Sequence, residues 1–171
     1  MISLFVGGSR SGKSVLAERR AMALGGSVTY VATFVTDSRA DEDMTRRIAA
    51  HRERRPPEWG LEEIPRGGDL PGCVRRVQGV ALIDTLGTWV GGSPGFEVDA
   101  DALCAALLER TGDTVIVSDE VGMGVHPSSA EGRTFRDAMG KVNSAVSCVA
   151  DESWLVVAGH VLSLARPPWL P

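Results

Sequence analysis

Gly7-Gly8-Ser9-Arg10-Ser11-Gly12-Lys13-Ser14 spells G-x-x-x-x-G-K-[ST], the pattern of a loop that cradles phosphate between a strand and a helix. Ile2, Leu4, Phe5 and Val6 precede it as a short apolar run suited to a buried parallel strand, and Val15 to Leu24 can continue as a helix. A glycine-rich turn that holds no ligand can carry the same letters, but strand, loop and helix in this order select the phosphate-binding form. Glycine lets the backbone turn its amides inward, and those N–H groups together with the helix N-terminus attract phosphate. Lys13 then reaches the terminal phosphates, and the Ser14 hydroxyl can ligate magnesium.

The 171 residues, 43% hydrophobic with a net charge of −4, suit one globular domain, 1–171, with a substantial core. That charge, with arginines clustered rather than spread along a basic face, argues against a nucleic-acid partner and for a small substrate. No charged segment followed by a long apolar one opens the sequence, and no apolar run approaches the roughly 18 residues of a membrane span, so a cytoplasmic protein is expected. Cys73, Cys104 and Cys148 are odd in number and widely spaced, as reduced thiols are. His51, His126 and His160 stand far from one another and from the cysteines, so the expected metal is magnesium on phosphate rather than structural zinc.

Apolar, β-branched runs recur at Ser27 to Ala32, Val80 to Ile83, Thr114 to Val117 and Trp154 to Ala158. Between them lie helical patterns at Val15 to Leu24, Asp41 to Arg54, Val98 to Arg110 and Gly132 to Ala150, which predicts a parallel, doubly wound α/β sheet. Leu61 to Ile64 is a candidate extra strand. Gly87 to Gly95 and Gly122 to Gly132 read as mobile, substrate-binding loops, and the proline-rich tail reads as irregular, with Trp169 available to dock it.

The segment from Asp41 to Pro56 starts acidic and ends basic, as a helix dipole favours. At about 100° per residue, Met44, Ile48, His51 and Arg55 share one stripe, which aims His51 toward the protein body. Neighbouring arginines disfavour imidazolium, leaving a neutral nitrogen beside groups that hold phosphate. From the residues alone two readings stand: a satisfied structural histidine, or a nucleophile for phosphorus.

The motifs G-G-S-R-S-G-K-S from Gly7, Y-V-A-T from Tyr30, R-I-A-A-H-R-E-R-R-P from Arg47, E-V-G-M-G from Glu120, F-R-D from Phe135 and D-E-S-W-L-V-V from Asp151 occur in unbroken order. With them the chain resembles the bifunctional adenosylcobinamide kinase and adenosylcobinamide-phosphate guanylyltransferase family of cobalamin biosynthesis, from Ile2 to about Gly159. The resemblance implies a RecA-like P-loop NTPase fold with a mostly parallel sheet flanked by helices, and a homotrimer. It also implies two reactions: phosphorylation of adenosylcobinamide by ATP or GTP, then transfer of GMP from GTP to adenosylcobinamide phosphate through a GMP-histidine intermediate.

The resemblance makes His51 the nucleophile and Lys13 the second catalytic group. It puts Gly7, Gly8, Ser9, Arg10, Ser11, Gly12, Lys13 and Ser14 on phosphate, and Thr33, Phe34, Val35, Arg52, Glu53, Arg54, Arg55, Glu63 and Asp84 against the nucleotide. Asp84 stands out from the residues as well, since an acid ending the run Val80-Ala81-Leu82-Ile83 can join Ser14 on magnesium; a polar residue that merely ends a strand is the alternative. The family position at Asp84 is usually glutamate, Asp119 stands where asparagine is usual, and a single His51 replaces a pair found in some members. His126 can reach the corrin from its loop or lie idle there, and His160 is expected to end a strand in a structural role. Asp119 and Glu120 are candidates for a general base, or for capping and pairing. A monofunctional small-molecule kinase and a nucleotide-dependent switch are the competing functions.

Overall fold

The computed structural model describes residues 1–33, 49 and 52–167. Among these, seven strands form one sheet in the order β3-β2-β4-β5-β1-β6-β7. The strands are β1 (Ile2–Gly7), β2 (Val28–Ala32), β3 (Gly60–Glu63), β4 (Val80–Asp84), β5 (Thr114–Asp119), β6 (Glu152–Val157) and β7 (His160–Ser163). The first six run parallel, and β7 pairs antiparallel with β6.

Alternation along the central strands builds both cores. Leu4, Val6, Ile83 and Ile116 face one side, where they pack with Leu70, Trp89, Leu103 and Met139. Those residues come from helices α2 (Leu70–Arg76), α3 (Leu86–Gly92), α4 (Ala100–Glu109) and α5 (Ala130–Val149). Phe5, Tyr30, Leu82, Val115 and Val117 face the other side, beneath Ala17 and Ala21 of α1 (Lys13–Leu24). Near-continuous burial on both faces is what a parallel sheet covered by helices requires.

Short polar side chains start the helices. Asp69 accepts from Gly72 N at 2.7 Å, Asp99 from Ala102 N at 2.8 Å and Ser129 from Gly132 N at 3.0 Å. Each satisfies an amide that the first turn leaves open.

Four expectations change. Gly87 to Gly95 is not a loop: Leu86–Gly92 is α3, capped by Thr85, which accepts from Thr88 N at 3.3 Å. Leu86, Trp89 and Val90 are buried at i, i+3 and i+4, and this apolar face outweighs the low helix propensity of glycine. The strand expected at Trp154 to Ala158 is Glu152–Val157, and His160 begins β7 rather than ending a strand. Finally, the second glycine-rich stretch is loop only until α5 starts at Ala130. Of the helix expected at Asp41 to Arg54, residues 52–54 are described and are helical; the rest, and Trp169, lie outside the described residues.

Candidate active site

The open ends of β1, β4 and β5 meet at the carboxyl edge of the sheet, where doubly wound folds bind ligands. β1 ends at Gly7 and α1 begins at Lys13, so the intervening turn presents a helix N-terminus to the cleft. Gly12 adopts φ 96°, and a Cβ there would lie 3.3 Å from Gly159 Cα. Gly159 N donates to Ser11 O at 2.8 Å, so the β6–β7 turn buttresses the loop from behind.

Lys13 is buried. Its Nζ lies 3.1 Å from Gly8 O, to which it donates, and 2.8 Å from Asp119 Oδ1. The other oxygen of Asp119 accepts from Thr85 Oγ1 at 3.1 Å. Glycine is needed at position 87 because a Cβ there would overlap Asp119 Oδ2. The misread helix α3 therefore sets the depth at which Asp119 meets Lys13.

On β4, buried Asp84 accepts from Tyr30 Oη at 2.8 Å and from Ser14 Oγ at 3.4 Å. Burial, reinforced by the Asp84 charge, pushes the Tyr30 phenol far above its usual range. Tyr30 is thus a fixed donor that orients the carboxylate. Ser14 and Asp84 supply two hard oxygens beside the phosphate loop, a donor set suited to magnesium, which keeps its remaining sites for phosphate and water. Among the described residues, no group of three or more His, Cys, Asp or Glu side chains gathers to hold a metal through protein ligands alone.

From the β2–β3 side Arg54 reaches the cleft wall, and Arg52 and Arg55 flank it in the chain. Arg54 pairs with Glu18 through Nη2–Oε1 at 3.2 Å and Nε–Oε2 at 3.4 Å, Arg52 Nη2 lies 3.3 Å from Glu63 Oε1, and the Arg55 guanidinium sits 5.7 Å from the centroid of the Tyr30 ring. Glu18 is buried on α1, so its two-point contact fixes a planar guanidinium at the cleft wall. Residues 9–15, Arg54, Thr88, Asp119 and Glu120 line a cavity of about 600 Å³.

Sequence-chosen residues reach this site unevenly. Ser9 to Ser14, Lys13 included, and Arg54 line the cavity. Gly7 and Gly8 lie at its floor, since Gly8 O holds Lys13 and Gly7 O accepts from Glu120 N at 3.1 Å. Thr33 is buried and ties β2 to the start of α3, donating to Thr85 O at 2.6 Å and sharing a hydrogen bond with Thr88 Oγ1. Glu53 is exposed, and Glu63 stands at the outer strand with Arg52. Phe34, Val35 and His51 lie outside the described residues. Sequence reasoning missed Glu18, Thr85, Thr88 and the role of Tyr30. Glu18 carried a signal, four residues after Ser14 and so on the same face of α1.

The family described as Cobinamide kinase / cobinamide phosphate guanyltransferase matches residues 3–164. The chain belongs to this family. It is 34% identical over 179 residues to the bifunctional adenosylcobalamin biosynthesis protein CobU of Escherichia coli, covering 93% of this chain and 97% of the relative. With the CobP protein of the same description from Pseudomonas aeruginosa it shares 34% identity over 177 residues, 98% of this chain and 99% of the relative. The CobU protein of Salmonella typhimurium is also 34% identical, over 179 residues. Membership makes the chain a transferase of α/β P-loop architecture.

Proposed function

We propose that the chain phosphorylates the terminal hydroxyl of adenosylcobinamide with ATP or GTP, then transfers GMP from GTP to the resulting phosphate, giving adenosylcobinamide-GDP and pyrophosphate. The observation that carries this reading is the cleft itself. The phosphate loop and Arg54 line it, the loop's Ser14 donates to Asp84, and Arg54 follows His51 by three residues in a chain matched to this family almost end to end.

In the first reaction the substrate hydroxyl oxygen bonds to the γ-phosphorus as the bond to the β–γ bridging oxygen breaks. Lys13 and the loop amides hold the charge that shifts onto the departing nucleoside diphosphate. In the second, a His51 nitrogen bonds to the α-phosphorus and pyrophosphate departs; a phosphate oxygen of the corrinoid then displaces the histidine, breaking the P–N bond. Ser14 and Asp84 would hold magnesium, which neutralises phosphate charge when bound. We also assign Arg52 and Arg55 to the nucleotide, with a cytoplasmic location and a homotrimer as in the resemblance. Among the described residues no helix is long and apolar enough to cross a membrane.

Incubation with GTP labelled on the α-phosphorus tests the reading. Protein-bound label with pyrophosphate release is expected, whereas label on the γ-phosphorus should leave in the pyrophosphate or pass to the corrinoid and never stay on the protein with GMP. A protein that phosphorylates cobinamide but never carries α-label is a monofunctional kinase, and one that hydrolyses GTP without modifying cobinamide is a switch.

A further inference from the structure

Beyond the nucleotide cleft, the segment between β5 and α5 exposes two apolar side chains. Met123 is 76% exposed and Val125 95% exposed. The segment does not hang loosely, since Glu120 Oε1 accepts from both Gly122 N and Met123 N and pins its first turn. Its far end is tied by Arg136 Nη1, 3.0 Å from His126 Nδ1, and by Arg133 Nη1, which donates to Pro127 O at 3.0 Å. Met123 and Val125 are thus held in water by polar contacts at both ends of the segment.

The cleft wall on this side is apolar too. Val121 and Phe135 line it next to Glu120. Phe135 is held by Phe96, edge-on at 5.3 Å between centroids and 66° between planes. Phe96 takes φ 60°, a conformation unfavourable for a bulky residue, and such strain gathers at ligand sites. Val121 and Phe135 line the cavity, and Met123 and Val125 follow Val121 in the same pinned segment.

The geometry points to these four residues as the dock for the corrin macrocycle of the acceptor, an inference that rests on the proposed function. A cavity of about 600 Å³ is of the size that one small ligand fills, so the nucleotide leaves the ring no room inside. The ring must lie at the rim while its hydroxyl tail reaches inward. Lys13, which holds the terminal phosphate, is paired to Asp119 at the end of β5, so the acceptor oxygen has to come over the segment that follows Asp119. A broad apolar ring edged with amides matches exposed methionine and valine flanked by the polar His126–Arg136 pair. The charged wall at Arg54 offers no such surface.

Cobinamide absorbs visible light, so equilibrium dialysis against the GTP-loaded protein reads its binding directly. A Met123→Ser, Val125→Ser double variant should bind cobinamide about tenfold more weakly, the loss expected when two exposed apolar contacts of about 0.7 kcal/mol each are removed. Phe135→Ala should do likewise, with Phe135→Leu recovering most of the affinity. GTP affinity should stay that of the parent in the Met123→Ser, Val125→Ser double variant. Leu108→Ser removes an exposed apolar group on α4, 63% exposed, and should leave corrinoid affinity unchanged. Unchanged cobinamide binding in the double variant, by a protein that still accumulates α-label from GTP, overturns the dock alone. A parent protein that binds no cobinamide and takes no α-label overturns the proposed function as well.

Discussion

Lys13 sits at the centre of a chain of contacts that places one positive charge at the phosphate loop, from Gly8 O through Asp119 to Thr85. Lys13→Ala should therefore slow both transfers by roughly a hundredfold or more, as loss of a group that stabilises developing charge does. Near-parent turnover of both reactions by the folded variant would remove the loop from the mechanism. Asp84→Asn keeps volume but removes the charge facing Ser14, so the magnesium concentration for half-maximal rate should rise; an unmoved magnesium dependence would make Asp84 purely structural. Tyr30 gives a spectroscopic test because it is the chain's single tyrosine. Its folded pKa lies above the unfolded value of about 10, so the unfolded state loses its proton first as pH rises. The contribution to stability is full below pH about 10 and is lost above it. The ultraviolet signature of phenolate should appear together with unfolding and not before it, and a phenolate signal in the native protein near the ordinary tyrosine range would refute the buried Tyr30–Asp84 contact.

At the scale of elements, legibility depended on how strongly a pattern repeats. The phosphate loop and the strands around it could be read because consecutive β-branched residues and a spaced glycine motif leave few alternatives. Helix α3 was hidden because Gly87, Gly91 and Gly92 suggest a breaker, while its helical signal is only three buried residues, Leu86, Trp89 and Val90. Helix α2 opens with Leu70-Pro71-Gly72 and was passed over for the same reason, although proline is well placed in a first turn. Neither pairing of Asp119, with Lys13 or with Thr85, was legible, since sequence shows a strand-end acid but not which cation the sheet brings to it. The consequence is measurable in α3. Trp89 is buried and donates through Nε1 to Gly68 O at 3.3 Å, so Trp89→Ala should cost about 3–5 kcal/mol in denaturant unfolding. A cost below about 1 kcal/mol would mean that α3 does not pack as described.

At the scale of the whole molecule, strand order explains how one sheet serves two chemistries. β5 lies between β1 and β4, so the phosphate loop and Asp84 flank the strand that ends in Asp119. Arg54 reaches the cleft from beyond β2, anchored on α1 by Glu18. Under the proposed function the γ-transfer and the α-transfer draw on one phosphate cradle, which the corrinoid approaches over the β5–α5 segment. One cradle cannot hold two nucleotides. A GTP analogue with carbon in place of both the α–β and the β–γ bridging oxygens can release neither pyrophosphate nor its γ-phosphoryl group, yet it fills the same loop. It should suppress α-labelled adduct formation and cobinamide phosphorylation with one shared inhibition constant, because each measurement reports occupancy of the same residues. His51→Asn should remove the adduct and leave that constant unchanged for phosphorylation, since direct γ-transfer needs no covalent nucleotide. Two different constants in the parent protein would mean two nucleotide sites, and the cavity at the end of β1 would then account for only one of the reactions.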